Sequence, residues 1–212
     1  MKKNREKEPQ KIWASFAQEL KLTDEQLEKF QKYAQILEEW NENINLTAIT
    51  NLGGVVRQHF LDSVAFQDFV DLTKTKLIVD VGTGAGFPAL PLKILYPNLE
   101  VILIEVNKKK QKFLQALIQE LDLQNVEVCD LDWRTFLRTT QANVDLFLTR
   151  AAIDEVELCR MFKPSCEYKN STLVYWVADE WQVDPKAAEF LKETKNYKLG
   201  KKHRKLAFFR LD

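Results

Sequence analysis

One stretch decides the fold of this chain: Asp80-Val81-Gly82-Thr83-Gly84-Ala85-Gly86. The apolar run Leu77-Ile78-Val79 comes directly before it, so a buried strand leads into a loop that holds three of the six glycines. Glycine lets the backbone adopt turn conformations closed to other residues and lets a ligand approach beside the next helix. Such a loop follows the carboxyl end of a strand, where open α/β sheets bind their ligands.

Short apolar runs alternate with helical patterns on the carboxyl side of this loop. We predict strands at LIVDVG (77–82), VILIE (101–105), NVEVC (125–129), VDLFLT (144–149), TLVYWV (172–177) and KLAFFRL (205–211). We predict helices at 90–95, 108–121, 154–162 and 185–191. This alternation is typical of a parallel α/β sheet with helices on both faces.

The amino-terminal third has helical periodicity. Residues 1–10 are polar, and we expect them to be frayed. Two apolar stripes follow between Ile12 and Trp40, and Thr23 with Gln26 forms a capping box before the second stripe. Gly53-Gly54 indicates a turn or flexible joint before another helical stretch at 55–70. We therefore expect a helical extension over residues 1–70 and one compact domain over residues 71–212.

Composition excludes several classes of protein. Lys plus Arg and Asp plus Glu both number 31, so the chain is not a polycation, although a local basic patch remains compatible with nucleic-acid binding. Two histidines, and three cysteines without CxxC spacing, argue against a metal site or a disulfide framework. The sequence lacks an apolar run of the roughly 18 residues of a membrane span, and we expect no signal peptide, because no apolar stretch follows the charged residues 1–11. We expect a soluble, cytoplasmic, monomeric protein.

The spacing of the glycines selects the ligand. A dinucleotide fingerprint would need a third glycine where Phe87 stands, and no phosphate-binding lysine follows as in a P-loop. The pattern Asp-x-Gly-x-Gly-x-Gly instead resembles motif I of class I S-adenosylmethionine-dependent methyltransferases, whose loop wraps the amino-acid end of the cofactor. Glu105 lies 19 positions after Gly86, at the end of the next strand. An acid at that place can accept hydrogen bonds from both hydroxyls of a ribose.

Five stretches together resemble the RsmG (GidB) family. They are WNENINLTAI (40–49), RQHFLDS (57–63), DVGTGAGFPALPL (80–92), KKKQKFLQ (108–115) and TRAA (149–152). The family methylates N-7 of one guanine in the decoding region of small-subunit (16S) ribosomal RNA. The resemblance covers the chain from about Leu22 to its end. It implies a Rossmann-like, mostly parallel seven-stranded sheet with helices on both faces, after an N-terminal helical extension.

The resemblance also places site residues on this chain. Cofactor contacts fall on Asp80, Gly82, Thr83, Gly84, Gly86, Phe87, Glu105, Trp133, Arg134 and Arg150. Arg150 is the candidate catalytic residue, a cation that would hold the target base, a phosphate or the cofactor carboxylate. Plain core packing is the alternative for Phe87 and Trp133, and a structural ion pair is the alternative for Arg150.

Substrate binding is expected to be electrostatic. The candidates for contact with 16S ribosomal RNA or the small subunit are His59, Lys109, Lys110, Lys201, Lys202 and Arg204. Lys109 and Lys110 open a predicted helix, and Lys201 and Lys202 precede the last predicted strand. For both groups the alternative is an ordinary solvated surface. His59 belongs to the HxLDS element with Asp62 and Ser63, and its alternative is a structural hydrogen bond to Asp62.

The implied reaction needs no general base from the protein, because the N-7 lone pair of guanine attacks the sulfonium methyl group directly. Catalysis is then expected to come mostly from proximity and orientation. The chain departs from the family pattern at five places. Glu105 stands where the family usually has Asp, Asp132 where it has Arg, Arg134 where it has an acid, Ala89 where it has Gly, and Val177-Ala178 where it has a Lys-Gly pair. Two expected basic residues are thus missing. Two alternatives therefore stay open. One is a methyltransferase of the same fold with another RNA, protein or small-molecule acceptor, and the other is a non-catalytic paralogue that binds the cofactor or RNA.

Overall fold

A computed structural model of the chain describes residues 2–150 and 152–211, with side chains from residue 8 onward. The helices are α1 (Lys2–Leu20), α2 (Asp24–Asn41), α3 (Leu52–Val55), α4 (Asp62–Val64), α5 (Ala89–Leu95), α6 (Lys108–Glu120), α7 (Trp133–Thr139) and α8 (Glu155–Leu158). The strands are β1 (Leu77–Val81), β2 (Glu100–Ile104), β3 (Val126–Cys129), β4 (Leu146–Arg150), β5 (Thr172–Ala178), β6 (Leu191–Leu199) and β7 (Lys202–Phe209).

The strands form one sheet in the order β3-β2-β1-β4-β5-β7-β6. The first five strands are parallel, and β7 runs antiparallel to both β5 and β6. Asp80 at the end of the central strand β1 pairs with Leu103 of β2 and Leu148 of β4. The predicted mostly parallel, seven-stranded sheet is confirmed.

Alternate residues of β1 enter two hydrophobic clusters on opposite faces of the sheet. Ile78 belongs to the cluster that includes Phe30 and Phe60 from the amino-terminal helices. Val79 belongs to the other cluster, with Phe147 of β4. The amino-terminal helices thus cover one face of the sheet, and the proposed division at residue 70 stays a prediction.

The capping box before α2 is confirmed. Thr23 Oγ1 accepts a hydrogen bond from the Gln26 N–H at 3.2 Å, and Gln26 Oε1 accepts one from the Thr23 N–H at 3.1 Å. The prediction of a frayed amino terminus is wrong for residues 2–10, because α1 already begins at Lys2; Met1 lies outside the described residues. Trp13 and Phe16 hold the carboxyl half of α1 against the core by packing on Phe60.

The predicted joint at Gly53-Gly54 is wrong, because both glycines lie in α3. Asn51 caps that helix by accepting a hydrogen bond from the Gly54 N–H at 2.7 Å. A six-residue π-helical stretch, Val56–Leu61, follows directly and leads into α4. Its wider turn is visible at Asp62, whose N–H donates to the Arg57 carbonyl five residues earlier.

The helix predicted at 185–191 is also wrong. Only a short 3-10 turn, Ala188–Phe190, is present, and β6 begins at Leu191. The exposed face of β6 carries charged and polar residues, which hid the strand from a search for apolar runs. Helix α7 was not predicted, and the helix predicted at 154–162 divides into α8 and the 3-10 stretch Cys159–Phe162.

Candidate active site

A cavity of about 590 Å³ opens at the carboxyl ends of β1, β2 and β4. The predicted site residues that line it are His59, Gly82, Thr83, Gly84, Phe87, Glu105, Lys110, Trp133 and Arg150. Residues that sequence reasoning did not place in the site complete the wall, among them Leu46, Asp132, Ala152 and Ile153. Ala151 of the TRAA stretch lies outside the described residues.

Asp80 holds the glycine loop from beneath. Its Oδ2 accepts hydrogen bonds from Thr83 Oγ1 at 2.9 Å and from the Ala89 N–H at 3.1 Å. The side chain is fully buried and is not among the residues that line the cavity. Burial raises the pKa of Asp80 to about 7, against the opposing effect of the two hydrogen bonds. Oδ1 is a buried atom without a hydrogen-bond partner among the described residues.

Two glycines of the loop have different surroundings. A Cβ on Gly84, which has a φ of +60°, would meet no atom of the described residues within 4 Å, so the backbone here faces open space at the cavity. A Cβ on Gly86, at a φ of +92°, would lie 2.5 Å from Leu90 Cδ1 and 2.6 Å from the Tyr33 hydroxyl. Gly84 therefore leaves room for a ligand, whereas Gly86, outside the cavity wall, permits close packing beneath the loop.

Glu105 follows β2 and places a carboxylate at the cavity. Its Oε2 accepts a hydrogen bond from the Gly84 N–H at 3.1 Å, and its Oε1 accepts one from the Asn107 N–H at 2.8 Å. The Glu105 carbonyl accepts a further bond from Gln111 Nε2. These bonds fix the position of the carboxylate, and each of its oxygens keeps a second lone pair for a ligand.

Phe87 joins the core to the cavity wall. Its ring stacks on Tyr33, with 5.2 Å between centroids, and on His59, with 4.6 Å between centroids. The guanidinium carbon of Arg150 lies 5.2 Å from the Phe87 ring centroid, within range of a cation–π contact. Phe87 therefore has both roles that the sequence left open, a core aromatic and part of the cavity lining.

Arg150 ends β4 and is held by the HxLDS element. Its Nη1 donates to the Gln58 carbonyl and to Asp62 Oδ2, each at 3.1 Å, and its Nη2 lies 3.2 Å from His59 Nδ1. Thr47 Oγ1 lies 2.8 Å from the other ring nitrogen of His59. Burial first, and then the charge of Arg150, lowers the pKa of His59 to about 4, so the ring is neutral at physiological pH.

Asp62 is buried behind Arg150 and accepts hydrogen bonds from residues in the carboxyl-terminal part of the chain. Its Oδ2 accepts a hydrogen bond from Arg204 Nη2 at 3.2 Å, and its Oδ1 accepts one from the Tyr197 hydroxyl at 2.6 Å. Its carbonyl accepts a bond from Trp176 Nε1 at 2.9 Å. Sequence reasoning paired Asp62 with His59, whereas the structure pairs its carboxylate with Arg150 and Arg204.

The two residues after Asp132 point to different places. Trp133 lines the cavity and donates a hydrogen bond from Nε1 to the Glu157 carbonyl at 3.1 Å. Arg134 forms a bidentate ion pair with the Glu157 carboxylate, with N–O distances of 2.6 and 2.8 Å, and its side chain is not part of the cavity wall. Arg134 therefore does not replace the basic residue that Asp132 removes from the family pattern.

The predicted RNA-binding residues fall into two groups. At the start of α6, Lys110 lines the cavity and Lys109 is exposed beside it. On the hairpin of β6 and β7, Lys201 is exposed and Lys202 Nζ donates to Gln58 Oε1 at 3.1 Å. Arg204 points inward to Asp62 instead of lying on the outer surface.

A second cavity of about 590 Å³ lies between α1, α2 and the segment 47–55. Trp13 and Ile49 are among its apolar lining residues, and Glu38 is among its polar ones. Among the described residues that line it there is neither a glycine loop nor a converging set of fixed charged groups, so we place the candidate active site at the sheet edge. In the described part of the chain, no helix is long and apolar enough to cross a membrane.

Solved structures share the fold at low sequence identity. A SAM-dependent methyltransferase from Aquifex aeolicus superposes with a TM-score of 0.51 and 18% identity, over 73% of this chain and 93% of that one. TrmK from M. capricolum, solved in complex with S-adenosyl-homocysteine, superposes with a TM-score of 0.50 and 10% identity, over 65% and 62% of the two chains.

Curated relatives are much closer in sequence. Ribosomal RNA small subunit methyltransferase G of Listeria monocytogenes is 38% identical over 82% of this chain and 74% of its own length. The protein of that name from Exiguobacterium sibiricum is 46% identical over 54% of this chain. The one from Streptococcus pneumoniae is 51% identical over 51% of this chain. The chain spans 48% and 46% of the lengths of these last two relatives, about half of each.

The family model for GidB, described as rRNA small subunit methyltransferase G, matches residues 26–207. That match takes in most of α2, the glycine loop, Glu105, Arg150 and most of the β6–β7 hairpin. The resemblance inferred from the sequence motifs is confirmed, and the chain belongs to the GidB family of rRNA small subunit methyltransferases.

Proposed function

We propose that this chain transfers a methyl group from S-adenosylmethionine to N-7 of a guanine in small-subunit (16S) ribosomal RNA. One observation carries the proposal: the glycine loop, the fixed carboxylate of Glu105 and the guanidinium of Arg150 face a single cavity at the sheet edge. The names of the curated relatives support ribosomal RNA of the small subunit as the substrate.

The cavity fits the cofactor. The free lone pairs of Glu105 suit two ribose hydroxyls, and the open space at Gly84 suits the amino-acid end of the molecule. Trp133 and Phe87 give apolar walls on either side. When bound, S-adenosylmethionine supplies an electrophilic methyl group on a sulfonium.

Arg150 positions the acceptor base. Both Nη1 hydrogens are used on Gln58 and Asp62, and one Nη2 hydrogen is used on His59, so among the contacts of the described residues one Nη2 hydrogen and the Nε hydrogen remain for a ligand. Guanine presents O6 and N-7 as adjacent acceptors on one edge. Arg150 donates to O6, which leaves the N-7 lone pair free to attack the methyl group.

No proton has to leave N-7 for the transfer, so the chain needs no general base there. His59 acts as a neutral acceptor that fixes Arg150, and its low pKa keeps a second positive charge away from the sulfonium. Catalysis then comes from holding the two reactants in line, the effect of proximity and orientation.

The RNA backbone binds the basic groups on the two sides of the cavity. Lys109 and Lys110 lie at the start of α6, and Lys201 and Lys202 lie at the turn of the β6–β7 hairpin. Lys202 contacts Gln58, whose carbonyl accepts from Arg150, so the hairpin borders the active site directly. Their contribution is electrostatic and depends on salt. The chain acts as a monomer on the RNA or on the small subunit.

The test is methyl transfer from labelled S-adenosylmethionine to small ribosomal subunits that lack the modification, with mass mapping of the labelled nucleotide. Label at N-7 of a single 16S guanine is the expected result. Label on another RNA or on a protein would replace the proposed acceptor and direct attention to Asp132 and Val177. Failure to bind S-adenosyl-homocysteine by a folded protein would refute the proposal altogether.

A further inference from the structure

Asp62 lies where three parts of the chain meet. It follows the π-helical stretch, and its carboxylate, with a side chain only 3% exposed, contacts Arg150 at the end of β4 and Arg204 on β7. Both guanidinium groups donate to the same oxygen, Oδ2, at 3.1 and 3.2 Å. The Tyr197 hydroxyl, from β6, donates to Oδ1 at 2.6 Å.

The charges in this cluster are two positive and one negative. The other acceptors of Arg150, the Gln58 carbonyl and the His59 ring, are neutral. Among the described residues, Asp62 is the one carboxylate in ion-pair contact with Arg150, and it is also the one in contact with Arg204. Removing its charge would leave two cations facing each other in a partly buried site, which is strongly unfavourable.

We infer that Asp62 is a positioning residue that sets the direction of Arg150 in the active site. The same carboxylate anchors the β6–β7 hairpin through Arg204 and Tyr197, so the hairpin that carries Lys201 and Lys202 is docked by the group that orients Arg150. The active-site cation and the basic hairpin are therefore held as one unit. The inference rests on the proposed function insofar as Arg150 holds the acceptor base.

A purely structural carboxylate offers a matched comparison. Asp145 lies at the opposite edge of the sheet and accepts hydrogen bonds from the backbone N–H groups of Lys76 and Leu77, at 2.8 and 3.0 Å. Asp145→Asn should lower stability without moving Arg150. Asp62→Asn should do both, and Tyr197→Phe, which keeps the ring and removes one donor to Asp62, should have a milder form of the same effect.

The first measurement is ¹⁵N NMR of the Arg150 guanidinium, identified by the signal that Arg150→Lys removes. In the unmodified protein and in Asp145→Asn, we expect restricted rotation with resolved Nη signals. In Asp62→Asn we expect averaged signals, and in Tyr197→Phe faster rotation. This measurement needs no RNA, so it tests the inference even if the proposed function fails.

The second measurement is methyl-transfer kinetics with the same variants. Asp62→Asn should lower kcat by about 100-fold, because a misplaced positioning group costs that much. Tyr197→Phe should lower kcat roughly tenfold, the lower end of the effect of one hydrogen bond to a charged group. The affinity for S-adenosyl-homocysteine should be unchanged in both.

The inference would be overturned if the Arg150 signals were unchanged in Asp62→Asn. It would also be overturned if Asp62→Asn, like Asp145→Asn, lowered kcat only as far as it lowered the fraction of folded protein. If Asp62→Asn does not fold, Tyr197→Phe decides: unaltered rotation and kcat would refute the role of Asp62. A wild-type protein that transfers no methyl group would refute the proposed function and leave the inference to the NMR result.

Discussion

Arg150 donates a hydrogen bond from Nη2 to Nδ1 of His59, a residue 91 positions earlier in the chain. Arginine has no acceptor, so Nδ1 must carry a lone pair, and the single ring hydrogen lies on Nε2. Thr47 Oγ1, 2.8 Å from Nε2, accepts that hydrogen. His59, the histidine of the HxLDS element, is thus a hydrogen-bond acceptor for Arg150 and is not free to take a proton from a substrate.

His59 should stay neutral well below the ordinary range for histidine. An NMR titration should show its ring with a pKa of about 4, since burial and Arg150 both disfavour the imidazolium. Arg150→Met should move this pKa upward, because it removes the nearby positive charge. The chain has only two histidines, so the assignment is direct. A His59 ring that titrates near pH 6.5 in the unaltered protein would contradict the hydrogen-bond assignment.

Stability should depend on pH through two groups of opposite sign. The pKa of Asp80 is raised in the fold to about 7, so its contribution to stability is lost as pH rises from about 4 to 7. The pKa of His59 is lowered to about 4, so its contribution is present above pH 6.5 and is lost as pH falls towards 4. The two effects offset each other in the unaltered chain.

Single substitutions should separate these two effects. The difference in free energy of unfolding between Asp80→Asn and the unaltered protein should increase as the pH rises from about 4.5 to about 6.5. The corresponding difference for His59→Gln should decrease over the same range. Each slope should reach at most about 1.4 kcal/mol per pH unit. Urea denaturation at several pH values measures both. Curves parallel to that of the unaltered protein would show that the two pKa values are ordinary.

Glu105 should determine cofactor affinity. Glu105→Gln keeps the shape but weakens hydrogen bonds accepted from ribose hydroxyls, so the Kd for S-adenosyl-homocysteine should rise about 10- to 100-fold. Glu100→Gln is the matched control, because Glu100 begins the same strand at the opposite edge of the sheet. Calorimetric titration measures both. Equal affinities of the two variants for S-adenosyl-homocysteine would show that Glu105 does not bind the ligand.

Two glycine substitutions should separate binding from folding. Gly84→Ala places a methyl group in open space at a φ of +60°, so stability should fall by about 1–2 kcal/mol while S-adenosyl-homocysteine binds more weakly. Gly86→Ala forces a methyl group to within 2.5 Å of Leu90 Cδ1, so the melting temperature should fall further. Thermal denaturation with and without ligand distinguishes them. Full affinity in a folded Gly84→Ala variant would contradict the placement of the ligand.

The hairpin lysines should contribute to RNA affinity and to its salt dependence. Replacing Lys201 and Lys202 by Glu should weaken RNA binding and reduce the slope of log K against log salt by about 1 per lost phosphate contact. The same change at Lys163 and Lys169, which lie before β5 at the other edge of the sheet, is the control. A similar loss in both pairs would indicate a general charge effect and not a defined surface.

The centre of the fold could be predicted because its signals are local. The run Leu77–Val81 is fully buried, and its apolar character and the glycines after it are visible in the sequence alone. The strand Leu191–Leu199 could not be found in this way, because its exposed positions carry polar and charged residues and its pairing partner comes later in the chain. Gly53 and Gly54 looked like a joint because the cap from Asn51 depends on the folded turn.

The candidate site was predictable where the chain itself brings residues together. Gly84 and Glu105 each follow a strand of the same parallel sheet, so their approach at one edge is a consequence of topology. The ion pair between Asp62 and Arg204 joins residues 142 positions apart and depends on the antiparallel hairpin, which no local sequence pattern predicts. The ion pair that takes Arg134 away from the cavity, to Glu157, is equally a product of packing.

The π-helical stretch Val56–Leu61 also constrains how this part of the gene can change. It holds Gln58 and His59 against Arg150 with one residue more than an α-helical turn would need. Deleting a single codon here would close this wide turn to regular α-helical winding and change which of its side chains face Arg150. Substitutions can therefore accumulate in this turn, but a change of length breaks the site, and aligned homologues should run through it without a gap.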